Sequence, residues 1–356
     1  FLQVIGILRK LRNYGRGFVN FGEPLHLSGY LNEHAPQWRE HIGQEDKPQW
    51  LGDTVGKLAE QLMTRINSAA AVNGLTLSAV ALLSSERHAL TRDELEAQIA
   101  TYLTLLRQVP YGPFNTIPDN SAAELLDQAI ELNKFDVSED KLGQIISLDR
   151  YQAILLTYYR NNILHLLAMP ALVAALIERC EGITENEIVA RCVDIYPLIK
   201  TELFLHYDEE SLPELVSALL ANLQQQELIQ LRDGGFWVNP SNQMRLLLLA
   251  ESIQETLQRY AIVLTRVLAQ PGVEAEQLES DAMMMAERLG TLHGINAPEF
   301  FDQKLFTTLI HTLRHEGYLD PACKPDIGRF QALADNILPL LSHKVQRTIR
   351  ACCPSC

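Results

Sequence analysis

The sequence predicts a mainly α-helical chain: the end of an α/β domain, followed by a helical region with two winged-helix-like repeats. Three observations carry this. Apolar residues recur at helical spacing through most of the 356 residues. Four Ser/Thr-x-x-Glu capping boxes stand at matched offsets. One apolar run near the start, Phe18, Val19, Asn20 and Phe21, is closed by Gly22, Glu23 and Pro24. It alternates too little for a half-wet edge and reads as a strand buried on both faces. Such a strand needs a sheet, and other strand candidates are few, so its neighbours are expected before Phe1. The chain has no initiator Met and reads as the C-terminal part of a longer protein.

The elements follow in order. Residues 1–35 read as the end of the α/β domain, with a helix through Leu11 and then the strand. Residues 36–74 hold a polar connector with Pro36, Trp38, Pro48 and Trp50. An amphipathic helix follows, marked by Val55, Leu58, Leu62 and Ile66. Residues 75–160 form the first repeat: an apolar helix at 79–85, boxes at Thr91/Glu94 and Ser121/Glu124, and a hairpin at 135–148. Residues 161–260 form the second, with an apolar helix at 171–180, boxes at Thr184/Glu187 and Ser211/Glu214, and a hairpin at 228–238. The boxes are offset by 93 and 90 residues, and Gly234 and Gly235 are expected to supply the positive φ of the second turn. A C-terminal helical segment spans 261–341, with a shorter third echo at 297–317 ended by Gly317, and a tail covers 342–356.

Composition narrows the function classes. Apolar residues at 47% and charged ones at 21% are ordinary for a globular protein. A formal charge of −14 repels nucleic acid and anionic membrane over most of the surface, so anion or lipid contact needs a local basic patch. Arg9, Lys10, Arg12 and Arg16 form the densest one. The helices that would enter a DNA groove, at 93–102 and 186–196, carry more acid than base, which argues against nucleic-acid binding. The longest apolar stretch, 163–177, is shorter than the roughly 20 residues that cross a bilayer and contains Pro170. It reads as a core helix, with contact at a membrane surface as the alternative. Six scattered cysteines, three of them in the CCPSC ending, lack zinc spacing and are expected as reduced thiols. No phosphate-binding Gly loop, Gly-x-Ser-x-Gly elbow or metal-spaced cluster occurs.

Eight strings in order, GRGFVNFGEPLHLSGYLNEH, VPYGPFNTIP, NKFDV, LLTYYRNNILHLL, IYPLIKTELFL, ETLQRYAI, LHGINAPEFFD and LRHEGYL, resemble the bacterial glycerol-3-phosphate 1-O-acyltransferases. The resemblance covers about residues 2–341, and the tail after residue 342 departs from it. It implies transfer of a fatty acyl group from acyl-ACP (acyl carrier protein) or acyl-CoA to the 1-hydroxyl of sn-glycerol 3-phosphate. The product is lysophosphatidic acid, in the first step of phospholipid synthesis. It further implies a membrane-bound enzyme with catalytic motifs upstream of Phe1; attachment is expected to be peripheral, at the cytoplasmic face of the inner membrane, through Arg9, Lys10, Arg12 and Arg16 with the 163–177 segment as a second contact, and no cofactor is expected.

The family's base and its orienting partner form a His-x4-Asp motif. This chain has three matches, His41/Asp46, His88/Asp93 and His315/Asp320. None follows a strand or precedes an Arg-bearing Gly loop, so none is read as catalytic. No cofactor-binding or metal residue is assigned either. His293 and Asn296 sit in a loop that Gly294 explains as a helix stop, Met283 to Met285 read as core filler, and Tyr158 to Asn162 read as a domain interface. The fragment alone is expected to be inactive. A non-enzymatic helical interaction scaffold is the alternative, and the buried strand at 18–21 is the feature that would separate the two.

Overall fold

The computed structural model describes residues 17–43, 46–320 and 322–353. Residues 74–84 carry almost no strongly polar side chain, and a helix apolar all round is stable only inside a core. Helix Gly74–Ser84 is buried from Gly74 to Leu82. Gly74 is required by close approach, since a Cβ there would sit 1.9 Å from the Leu125 carbonyl oxygen. Around this helix lie Arg92–Gln108, Ala122–Ile130 and Arg150–Asn161, and the hairpin Asp136–Asp140/Gly143–Ser147. Strand Ala89–Thr91 pairs antiparallel onto Gly143–Ser147, completing a three-stranded sheet.

The same order recurs. The helix that follows the apolar one starts at residues 92, 185 and 275, spacings of 93 and 90; the next starts at 122, 212 and 303. In the second unit the hairpin is Ile229–Arg232/Gly235–Val238, and Ile183 bridges to Phe236 where the first unit has its third strand. In the third unit the hairpin shrinks to a bridge between Leu319 and Pro325, after Gly317 at φ +71. The third unit therefore begins at helix Gln254–Ala269, well before the expected echo at 297. One continuous hydrophobic core runs from Val72 to Cys353, and helix His343–Cys352 joins it through Val345 and Ile349. The chain is mainly α-helical.

Local chemistry explains most boundaries. Thr91, Ser121 and Thr184 each close a reciprocal capping box with Glu94, Glu124 and Glu187. Asn73/Thr76 and Asp149/Gln152 form two more that fall outside the Ser/Thr-x-x-Glu pattern. The expected box at Ser211/Glu214 does not form. A 3-10 turn, Glu209–Ser211, already holds Ser211 in the helical region, and its hydroxyl donates to the Asp208 carbonyl at 2.7 Å. The second hairpin turn takes its positive φ from Asp233 and Gly234 rather than from Gly234 and Gly235. Gly235 serves close approach instead, because its Cβ would meet Gly182 O at 2.2 Å.

Two further expectations are corrected. Residues 18–21 are not a buried strand: they lie outside any described strand or helix, with Val19 79% and Phe21 86% exposed. No described strand offers them a ladder; the Asn20 amide ties the segment to the body, donating to Ala69 O and Thr116 Oγ1 at 2.9 Å each. The basic residues Arg9 to Arg16 and the helix through Leu11 lie outside the described residues. Pro170 does not interrupt the apolar stretch. Helix Leu164–Arg179 runs through it and is buried from Leu164 to Ile177, its packing outweighing the hydrogen bond that proline forgoes. Among the described residues no single helix is long and apolar enough to cross a membrane, and the apolar pair Arg150–Asn161 and Leu164–Arg179 is bent by 95°.

The arm ahead of the core, residues 17–70, docks through a polar junction. The Asn67 amide donates to Leu203 O at 2.7 Å, where Phe204 ends its helix in the left-handed region. The Asn67 carbonyl accepts from Asn115 Nδ2 at 3.1 Å and from His165 Nε2 at 3.0 Å. Tyr111 packs edge-on against His165, His206 and Tyr207. Burial pushes the His165 imidazole down to about 4, against the opposing pull of its bond to Asn67, and burial also lowers His206.

Two outcomes follow. Thr184→Ala should cost about 1 kcal/mol in urea unfolding, whereas Ser211→Ala should stay within about 0.5 kcal/mol. Equal losses would contradict the capping assignment. Because His165 binds its proton less readily folded than unfolded, stability is full above pH 6.5 and falls as pH drops towards 4, by about 3 kcal/mol. Glu251, pushed up to about 7 by burial, titrates with the opposite sign, so the test is the difference between the parent and His165→Gln. That difference should shrink as pH falls from 6.5 to 4. A pH-independent difference would contradict it.

Candidate functional site

The three His-x4-Asp pairs are scattered and built into local structure. His88 sits in a turn at φ +51 with Nδ1 3.4 Å from Leu82 O, while Asp93 lies in the first turn of the next helix, where the N-terminal dipole favours a carboxylate. His315, exposed, meets Glu316 Oε1 at 3.0 Å, and Asp320 Oδ1 accepts from the Lys324 amide at 2.7 Å. His41 ends a short 3-10 helix edge-on to Trp50, with Asp46 exposed beyond it. Among the described residues no group of three or more His, Cys, Asp or Glu side chains could hold a metal ion.

Charge is concentrated elsewhere, where the three units meet. Arg160, at the last turn of helix Arg150–Asn161, is 5% exposed and pairs with Glu255 at 2.9 Å and with Glu299. Asn161 Nδ2 adds a bond to Glu299 at 2.8 Å. Burial acts to lower the Arg160 pKa, but the two carboxylates outweigh it and hold the guanidinium above its ordinary value. One turn further along helix Gln254–Ala269, Arg259 is fully buried against Glu202 and Thr256, with its guanidinium 5.8 Å from the Phe300 ring centre. The same opposition of burial and a carboxylate, here Glu202, leaves its pKa raised. The residues 158–162 thus divide: Arg160 and Asn161 build an interface between units, and Tyr158 faces solvent.

Glu299 belongs to the loop that the sequence marked at His293 and Asn296. Gly294, at φ +70, ends helix Ala275–His293, and Asn296 Nδ2 folds back onto Gly294 O at 3.0 Å. His293 Nε2 lies 3.0 Å from Thr348 Oγ1. Gly290 leaves room for Phe301, which a Cβ would meet at 2.4 Å. Between this loop and helix Arg150–Asn161 opens a surface cleft of about 660 Å³, lined by Arg150, Ile154, Glu287, Thr291, Asn296 and Phe301. Of the three methionines, Met285 is buried, Met283 packs against the core and Met284 is exposed. The cleft carries mixed charge and no paired base and orienter, so it offers a shape without acyl-transfer chemistry. Local spacing could not have found the Arg160 partners, which lie 95 and 139 residues away.

The chain is 80% identical over 351 residues to a glycerol-3-phosphate acyltransferase of Aeromonas hydrophila subsp. hydrophila. That match covers 99% of this chain, including most of the 342–356 tail, and 44% of the relative, so the chain spans less than half of that protein's length. Residues 1–322 match the family described as glycerol-3-phosphate acyltransferase C-terminal region. The chain belongs to that family.

Proposed function

We propose that this chain is the helical C-terminal region of an enzyme that transfers a fatty acyl group from acyl-ACP or acyl-CoA to the 1-hydroxyl of sn-glycerol 3-phosphate, giving lysophosphatidic acid. The observation that carries the proposal is the family match over residues 1–322 together with 80% identity to the named Aeromonas relative. Acyl transfer to an alcohol needs a base, a group that orients it, and cations for the acceptor phosphate. No His-x4-Asp pair here sits in such a setting, which supports placing the catalytic groups in the remaining part of the full-length protein. The role of this region is then structural, presenting a rigid helical body to the catalytic part. The exposed run at 18–21 does not separate this reading from a non-enzymatic scaffold; the family match supports the enzyme reading. Attachment to the cytoplasmic face of the inner membrane is part of the proposal, peripheral and through the Arg9, Lys10, Arg12 and Arg16 cluster, with no nucleic acid or cofactor involved.

One assay on phospholipid vesicles tests both aspects. The full-length protein should convert labelled glycerol 3-phosphate to lysophosphatidate and pellet with the vesicles at low salt. Charge reversal of the four basic residues or high salt should release it, because screening weakens exposed charge contacts. The 356-residue chain alone should give no product above background. Turnover by the chain alone that is abolished by His88→Ala or His315→Ala would overturn the placement of the catalytic groups.

A further inference from the structure

The last helix, His343–Cys352, carries cations where helix stability has no use for them. Its apolar side is committed to the core through Val345 and Ile349, 5% and 0% exposed, which fixes the other side facing outward. The exposed positions are His343, Lys344, Arg347, Arg350 and Ala351, and the helix holds no acidic residue. Arg350, in the last turn, suits the negative end of the helix dipole. His343 and Lys344 stand in the first turn, where a carboxylate is favoured. Helix Ala275–His293 extends the surface. It packs antiparallel to the last helix, with His293 Nε2 3.0 Å from Thr348 Oγ1 and Cys353 Sγ 3.9 Å from Met285 Sδ. Met284, Arg288 and Leu292, spaced by four residues, share one exposed face, the two apolar side chains at 63% and 60%. Met284 borders a cleft with Cys352 and Cys353, which puts this face on the side of the last helix. Glu287 lines the other cleft, at Arg150. No ion pair among the described residues involves Arg288, Lys344, Arg347 or Arg350.

We propose that this surface, Lys344, Arg347 and Arg350 with Arg288, Met284 and Leu292, rests on the anionic phospholipid headgroups of a membrane. The proposal depends on the peripheral attachment proposed above and gives it a surface on the folded body. Charge complementarity chooses the occupant. In a chain of formal charge −14 this face is a cationic island, drawn to a negatively charged plane that repels most of the remaining surface. Large apolar side chains set among cations suit the headgroup boundary, where Lys and Arg meet phosphate and the apolar groups reach the acyl edge. Val345 and Ile349 stay in the core, so the contact is made by the cations and by two shallow apolar side chains without insertion of the helix. Helix Leu164–Arg179, the other candidate for lipid contact, is buried from Leu164 to Ile177 and is not available to lipid.

The test places a photoreactive amino acid at Ala351 of the full-length protein, with the same group at exposed Met244 as control, and adds acyl-ACP and vesicles of phosphatidylglycerol and phosphatidylethanolamine. Position 351 should form adducts with lipid, and position 244 should not. The yield should fall more than about tenfold in the triple variant K344Q/R347Q/R350Q, in high salt, and on phosphatidylcholine alone, because each weakens the attraction of these cations for an anionic plane. The salt and phosphatidylcholine arms keep the native side chains, so they decide the point even if the triple variant unfolds. Adducts to acyl-ACP, to a second copy or to another part of the same chain, lipid adducts indifferent to charge, or no adduct beyond the control would each overturn the proposal. Acyltransferase activity is measured on the same preparation. A protein that is active and pellets with the vesicles but gives no lipid adduct at 351 sinks this surface and leaves the function; lipid adducts at 351 from an inactive protein sink the function and leave the surface.

Discussion

The arrangement of the units depends on one buried guanidinium. Arg160 ends a helix of the first unit, Glu255 opens the first helix of the third, and Glu299 sits on the loop between that unit's later helices. Ion pairs taken out of water gain little over apolar packing of the same shape, but leaving one partner behind is costly. Such a cluster therefore specifies geometry more than it adds stability. Arg259 with Glu202 repeats the device between the second and third units. Both pairs lie at junctions of the hydrophobic core that runs from Val72 to Cys353.

That geometry gives the region its part in the proposed enzyme. The body carries no assembled catalytic pair among its described residues. A scaffold of repeated helical units that holds a cationic helix face at a fixed place is suited to setting the proposed enzyme against a membrane surface. The polar junction at Asn67, with Tyr111, the buried His165 and the half-buried His206, ties helix Leu51–Asn67 to the body.

Much of the architecture was legible in the residues. Thr91/Glu94, Ser121/Glu124 and Thr184/Glu187 announce helix starts because capping is a local event within four residues, and the hairpins at 136–147 and 229–238 follow from β-branched and aromatic runs around turns. Ser211 misled because a preceding 3-10 turn, invisible to the box pattern, had already wound the chain. Phe18 to Phe21 misled because strand formation depends on a partner, and residue type alone does not supply one. The third unit was seen only in part, since its hairpin has shrunk to one bridge at Leu319 and Pro325. The charge cluster was not legible at all: Arg160, Glu255 and Glu299 are joined by folding, with no spacing to reveal them.

The most direct test of the account is a double-mutant cycle at Arg160 and Glu299, read by urea unfolding with hydrogen exchange over residues 294–301. Arg160→Ala should lose about 3–5 kcal/mol, because two carboxylates are left without their cation. The pair should couple by more than about 1 kcal/mol, with exchange rising across the 294–301 loop. A loss below about 1 kcal/mol with additive single variants, as an exposed surface pair gives, would contradict the claim that this cluster fixes how the three units meet.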